Sequence, residues 1–194
     1  MALRGQYTTA DYLQWSEAMM LVKKLYRDNR FRDSMLVATG FMTGLRISDI
    51  LRLTFADILN GDMLIINEKK TGKRREIPLS IDYQKHIADC FKALGLSDST
   101  KPMFLSYQGG VITVQMVNKT LHGLKERYHL SIDHFSSHSL RKTFGRRIYD
   151  TAKDREYALI KLSSVLGHSN CAITRRYLGI KREEILDCYA ALDW

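Results

Sequence analysis

The sequence predicts a mainly α chain with one small antiparallel β-sheet (α+β), and three observations carry that prediction. Apolar residues recur at helical spacing along most of the 194 residues. Only 2 prolines are present, so little interrupts those helices. Strand-like runs are confined to residues 63–79, with Thr71-Gly72 between them as turn chemistry. The length suits a single domain over residues 1–194, given about 100–200 residues per domain.

The elements follow in order. Thr8-x-x-Asp11 resembles a capping box opening a helix to about Asp28, with Leu13, Met20 and Val22 to Tyr26 on its apolar side. A second helix is expected from Phe31 to Thr43, stopped by Gly44, and a short third one from Ser48 to Leu53. Met63 to Asn67 and Arg74 to Leu79 read as two strands of a hairpin. Ser80 caps a helix to Ala93 whose Tyr83, Ile87, Phe91 and Leu94 share a face. Residues 102–110 read as loop with a short strand. Thr113 then caps a helix to Tyr128 with Val117, Leu121 and Leu124 inward. Further helices are expected from Ser136 or Ser137 to Tyr149, from Glu156 to Leu166, and from Ser169 to Tyr177. The tail from Arg182 carries Ile185, Tyr189 and Leu192 at i, i+4 and i+7, and ends in Trp194.

Composition narrows the class. Hydrophobic residues at 45% and charged residues at 26% describe a globular chain rather than a disordered one. No apolar run approaches the ~20 residues of a membrane span. Asp11 and Glu17 interrupt any signal-peptide core. Cys90, Cys171 and Cys188 form an odd set without C-x-x-C spacing, which predicts no disulfide framework, no metal site and a reducing, cytoplasmic compartment. Lys plus Arg number 30 against 21 for Asp plus Glu, a net charge of +9 that points to a polyanionic partner, nucleic acid before membrane.

Four segments stand out: Thr43-Gly44-Leu45-Arg46-Ile47-Ser48-Asp49, Lys69-Lys70-Thr71-Gly72-Lys73, His138-Ser139-Leu140-Arg141, and Leu166-Gly167-His168 with Tyr177 nine residues on. Singly each has an ordinary reading: a salt-bridged arginine, a solvated turn lysine, a hydrogen-bonded histidine, one packing tyrosine among 10. In this order they resemble the tyrosine recombinase (phage integrase) family, whose catalytic domain carries Arg, Lys, His-x-x-Arg, His or Trp, and Tyr. The resemblance runs from about Thr8 into the tail and implies that family's catalytic-domain fold.

The residue types fit phosphodiester chemistry. Negative charge gathers on the non-bridging oxygens under attack, and arginine offers a planar, permanently charged fork to them. Arg46 and Arg141 would be the two clamps, and His138, three residues before Arg141, shares a helical face with it. The resemblance implies Tyr177 as the nucleophile, His138 assisting its proton transfer, His168 bonding the phosphate and Lys70 as general acid to the departing 5′-oxygen. Lys69 and Lys73 are rivals of Lys70 for that role. Asp49 would orient Arg46 through a carboxylate bond. The implied reaction is transesterification through a 3′-phosphotyrosine, needing neither ATP nor any other cofactor. No cluster of carboxylates offers magnesium a site.

The remaining basic residues suit a surface facing double-stranded DNA: Lys69, Lys73, Arg74 and Arg75 on the hairpin, Lys142, Arg146 and Arg147 after Arg141, and Arg175 and Arg176 beside Tyr177. The resemblance also implies a homo-oligomer on DNA, a tetramer coupled through a C-terminal helix over residues 182–194, with an accessory DNA-bending protein as a further partner. Arg46 lies so near the start that the family's N-terminal core-binding domain is expected to be absent. Two other readings compete. One is a non-catalytic helix-turn-helix DNA-binding module over Leu159 to Tyr177. The other is a type IB topoisomerase-like nicking-closing enzyme.

Overall fold

The computed structural model describes residues 11–192, the side chains of 181–185 excepted. Thr8 and Trp194, and the Ile185 side chain, lie outside the described residues.

Helix α1 (Trp15–Arg27) buries Ala18, Leu21 and Leu25, and α2 (Phe31–Thr43) is buried along most of its length. α1 starts later than Thr8-x-x-Asp11 suggests, with Gln14 at its N-cap, while the Asp11 carboxylate accepts from the Tyr12 N–H at 2.8 Å. Gly44 ends α2 in the left-handed conformation at φ 59°, and a Cβ there would come within 2.3 Å of the Phe144 ring. The next helix, α3 (Ile47–Ile50), is shorter than the sequence suggests. Arg46 before it is extended, and i→i+3 bonds such as Leu53 N–H to Ile50 C=O at 3.1 Å replace helix beyond Ile50.

Sequence reading missed α4 (Phe55–Leu59), whose capping box pairs Thr54 with Asp57 and which buries Phe55 and Ile58. Strands β1 (Met63–Asn67) and β2 (Arg74–Pro78) pair antiparallel in register from Met63 opposite Pro78 to Asn67 opposite Arg74. α5 (Ile81–Ala93) and α6 (Val114–Tyr128) are capped by the Ser80 and Thr113 side chains, as expected. The short strand expected in residues 102–110 is reduced to isolated bridges, Thr54 to Pro102 and Leu105 to Val111.

Helix α7 (Ser137–Thr151) opens at a capping box between Ser136 and Ser139. α8 (Arg155–Val165) is capped by Asp154, one residue earlier than expected, and turns at Gly167 with φ 58°. α9 (Cys171–Tyr177) is capped by Asn170 rather than Ser169, because the Asn170 Oδ1 is the atom that accepts the Ile173 N–H, at 3.0 Å. α10 (Ile180–Ala190) follows.

Two apolar cores form among the described residues. The larger joins α1, α2, α4, β1, β2, α5 and α6 around Phe41, Phe55, Leu64, Ile87 and Leu121, with Leu140 of α7 inserted. The smaller gathers Tyr149, Leu159, Leu162, Leu166, Leu178 and Ile180 from α7 to α10. α7 is shared between them, so one face of its N-terminal end meets the α2–α3 corner while its C-terminal half carries α8 to α10.

Candidate active site

A cavity of about 360 Å³ opens where these parts converge, lined by Arg46, Ile47, Ser48, Lys70, Ser137, His138, Arg141, Gly167, His168 and Tyr177. It brings together, from five separate stretches of chain, Arg46, Lys70, His138, Arg141, His168 and Tyr177 of the residues that the sequence picks out for catalysis, but not the supporting Asp49. Local reasons put each there. Gly44 ends α2 so that Arg46 emerges at the α2–α3 corner, and the β1–β2 turn carries Lys70. His138 and Arg141 occupy the first turn of α7, Gly167 turns the chain to His168, and Tyr177 ends α9.

Arg141 is 5% exposed and donates to the carbonyls of Gly44 at 2.6 Å and Leu166 at 2.5 Å. Its burial pushes it down to about 10, the nearby Tyr177 countering, which still leaves it cationic at neutral pH. Arg46 donates through Nη1 to Glu68 Oε2 at 2.7 Å and through Nη2 to Leu166 O at 3.4 Å. Both guanidinium groups thus meet at one backbone carbonyl, a fixed cationic wall to the cavity.

The Tyr177 hydroxyl donates to the His138 carbonyl at 3.3 Å. Burial raises it to about 12, with Arg141 and Arg46 pulling the other way, so it is protonated at neutral pH. His138 is held below its ordinary value by desolvation, Arg141 and Lys142, which favours its neutral form. His168 is pushed down to about 4 by burial and by Arg141 and Arg46. Its Nδ1 is 3.0 Å from Thr174 Oγ1, and its ring meets the Tyr177 ring edge-on at 5.1 Å. Which of the two donates follows the tautomer of the ring, and the Nε2 tautomer would have Thr174 donate to Nδ1.

Asp49 does not bond Arg46. Its buried Oδ1 accepts the Lys69 backbone N–H at 2.8 Å, so it braces the hairpin turn, and Glu68 is the carboxylate on Arg46. Sequence reasoning missed Glu68 altogether, because a glutamate beside two lysines in a hairpin reads as solvated, whereas this one is 3% exposed.

The proposed DNA-facing residues divide. Lys69, Lys73 and Arg176 are exposed, and so is Arg74, which pairs with Glu76 at 3.0 Å. Arg75 turns inward to Glu68 at 3.2 Å. Lys142 lies 5.5 Å from the Tyr177 ring centre, and Arg147 5.3 Å from that of Trp15. Arg146 is 8% exposed, stacked on Tyr12 at 4.6 Å and paired with Asp150 at 3.2 Å, and Arg175 grips Glu156 with bonds of 2.7 and 2.8 Å. Arg146 and Arg175 are therefore engaged within the protein in this structure. Among the described residues no cluster of three or more metal-ligating side chains occurs, and no helix is long and apolar enough to cross a membrane.

An arginine-walled cavity with a tyrosine at its edge, on this helical scaffold, defines a class. The family model of the phage integrase family matches residues 12–184, and the chain belongs to that family. It is 31% identical over 176 residues to the probable integrase/recombinase YoeC of Bacillus subtilis, covering 89% of this chain and 91% of that one. It is 28% identical over 163 residues to the tyrosine recombinase XerC of Pelobacter propionicus, covering 81% of this chain but about half, 51%, of that one. The fold matches that of the Tn1549 transposon integrase in complex with a circular intermediate DNA, with a TM-score of 0.65, 19% identity, 90% of this chain and 63% of that one. The chain is thus a tyrosine recombinase by family.

Proposed function

We propose that this protein is a site-specific DNA recombinase that cuts and rejoins strands through a 3′-phosphotyrosine on Tyr177. The observation that carries the reading is the convergence of Arg46, Lys70, His138, Arg141, His168 and Tyr177 on one cavity.

Each group has one task. The scissile phosphate lies against Arg46 and Arg141, whose donors match its non-bridging oxygens. His138 takes the Tyr177 proton, the Tyr177 oxygen bonds to phosphorus, and the bond to the 5′-oxygen breaks as Lys70 protonates it. His168, neutral, donates to a non-bridging oxygen. A partner strand's 5′-hydroxyl then displaces the tyrosine by the reverse path, so the phosphodiester bond energy is conserved. The net charge of +9 and the exposed Lys69, Lys73 and Arg176 support double-stranded DNA as partner, as in the Tn1549 complex.

Assembly on DNA runs through α10. Leu186 and Tyr189 on α10 are 55% and 70% exposed, and Leu192 just beyond its end is 72% exposed, apolar side chains not folded back on the chain's own core, which supports docking on a neighbouring protomer in a tetramer. A helix-turn-helix module alone would account for α8 and α9, but gives Arg46 and Lys70 no task in the cavity.

The test is covalent trapping on a denaturing gel, with nicked duplexes tiled from DNA flanking the gene. The parent protein is expected to yield a DNA-linked band that Tyr177→Phe lacks. Salt-sensitive binding without a band overturns the catalytic reading, and relaxation of supercoiled DNA of any sequence favours a topoisomerase.

A further inference from the structure

Glu68 is a buried carboxylate that the reaction just described does not use. Its Oε2 accepts from Arg46 Nη1 at 2.7 Å and from Thr71 Oγ1 at 2.7 Å, and its Oε1 accepts from Arg75 Nη1 at 3.2 Å. Its backbone closes the β1–β2 turn at both ends, Glu68 N–H to Lys73 C=O at 3.0 Å and Gly72 N–H to Glu68 C=O at 2.8 Å. Lys70 stands inside that turn and lines the cavity. One residue therefore touches both the arginine at the cavity wall and the loop that presents the lysine.

A buried carboxylate is costly unless its partners repay the lost hydration. Burial alone would raise the Glu68 carboxyl, but the bonds from Thr71, Arg46 and Arg75 outweigh it and hold it below the usual 4.5. It also faces Arg141, for which it offsets the repulsion of Arg46 and Arg75. The backbone leaves room for the pair at Gly167, where a Cβ would lie 3.1 Å from Arg46 Nη2 and 3.9 Å from Glu68 Oε2. A surface hairpin needs no such carboxylate to hold its turn; two guanidinium groups walling one cavity, with that of Arg75 close behind, do.

We propose that Glu68 is a positioning residue that aims the Arg46 guanidinium into the cavity and pins the turn presenting Lys70, so that clamp and general acid are set by one carboxylate. The inference rests on the recombinase reading for its kinetic arm and on geometry alone for its spectroscopic arm.

The experiment compares the parent protein with Glu68→Gln and Lys70→Ala, each first shown to be folded by thermal unfolding. On the nicked duplex that traps the parent, Glu68→Gln is expected to slow the first-order cleavage about 10²-fold with DNA affinity within about twofold, since misplaced groups cost rate rather than binding. The duplex is then remade with sulfur in place of the 5′-bridging oxygen, a leaving group that needs no proton. That substrate is expected to restore Lys70→Ala fully and Glu68→Gln only in part, the remaining deficit being the share of Arg46. Full restoration of Glu68→Gln, or none, overturns the double role, as does an unchanged rate on the oxygen substrate.

Nitrogen-15 spectra of the arginine side chains supply the second arm. In the parent, Arg46 is expected to show resolved, slowly exchanging guanidinium signals that collapse in Glu68→Gln; unchanged signals overturn the inference. If the parent traps no duplex, the recombinase reading falls, and the Arg46 signals still decide whether Glu68 holds that arginine.

Discussion

Arg141 donates to the carbonyl of Leu166 at 2.5 Å, binding the first turn of α7 to the end of α8 across 25 residues of sequence. The same side chain reaches Gly44 at 2.6 Å, so a proposed catalytic group doubles as the tie between three elements. Arg141→Ala is therefore expected to lose both functions. Cleavage should drop on the order of 10²–10³-fold from the missing phosphate donor, and stability by about 1–3 kcal/mol, since the buried Gly44 carbonyl loses its partner and Leu166 keeps only the longer bond from Arg46. Single-turnover trapping and urea unfolding check the two separately. Full stability in Arg141→Ala would contradict the tie.

Gly44 tests the α2–α3 corner. Its φ of 59° and the 2.3 Å approach of a Cβ to Phe144 both oppose any side chain. Gly44→Ala is expected to cost about 2–4 kcal/mol from left-handed strain and overpacking. Because Arg46 follows two residues later, cleavage should fall even at temperatures where the variant remains folded.

Acid should loosen the fold through His168. Its folded value of about 4 lies below the ordinary 6.5, so the unfolded chain binds the proton first as pH falls. The contribution is complete above pH 6.5 and is lost progressively toward pH 4. Melting temperatures measured across that window should decline, and His168→Gln should flatten the decline. An equal slope in the variant would exclude His168 as its source.

Arg146 and Lys73 should behave oppositely although both read as DNA-facing in the sequence. Arg146, stacked on Tyr12 and paired with Asp150, is expected to cost about 1–2 kcal/mol of stability as Arg146→Ala, with the salt dependence of DNA binding unchanged. Lys73, exposed on the turn, is expected to leave stability alone as Lys73→Ala while making the log–log salt slope less steep by about 0.9. Titrations at several salt concentrations distinguish them.

The α10 face predicts a separation of monomer and assembly properties. Leu186 and Tyr189 are exposed, so Leu186→Ala with Tyr189→Ala should leave the melting temperature within about 1 °C. Cooperative synapsis of two DNA sites, followed by gel shift, should be lost. Retained cooperativity would mean that another surface joins the protomers.

The fold was legible wherever a local signal sufficed. Ser80 and Thr113 announce their helices by side-chain caps, and Gly44 and Gly167 mark turns that need positive φ. α4 escaped notice because its five residues are too few to show a period, though Thr54 and Asp57 did spell a capping box. The cavity residues were legible through types and order. Their partners were not: Glu68 is buried by contacts to Arg46, 22 residues away, and Arg146 by Tyr12, from the other end of the chain. Asp49 sits at the expected helical spacing from Arg46, but its carboxylate turns to the Lys69 backbone, a choice that only the packed hairpin makes.

The division into two cores bears on control. Tyr177 packs with the smaller one, which α7 to α10 build, whereas Arg46 and the Lys70 turn belong to the larger. The proposed nucleophile and Arg46 are thus mounted on different bodies that share α7, whose Arg141 bonds Gly44 on one side and Leu166 on the other as the latch between them. Under the proposed docking, a neighbour that grips α10 would pull on the smaller core, where Ile180 at the start of that helix is buried. The chemistry proposed for one protomer would then be armed or disarmed from the protomer beside it, through the smaller core rather than the larger.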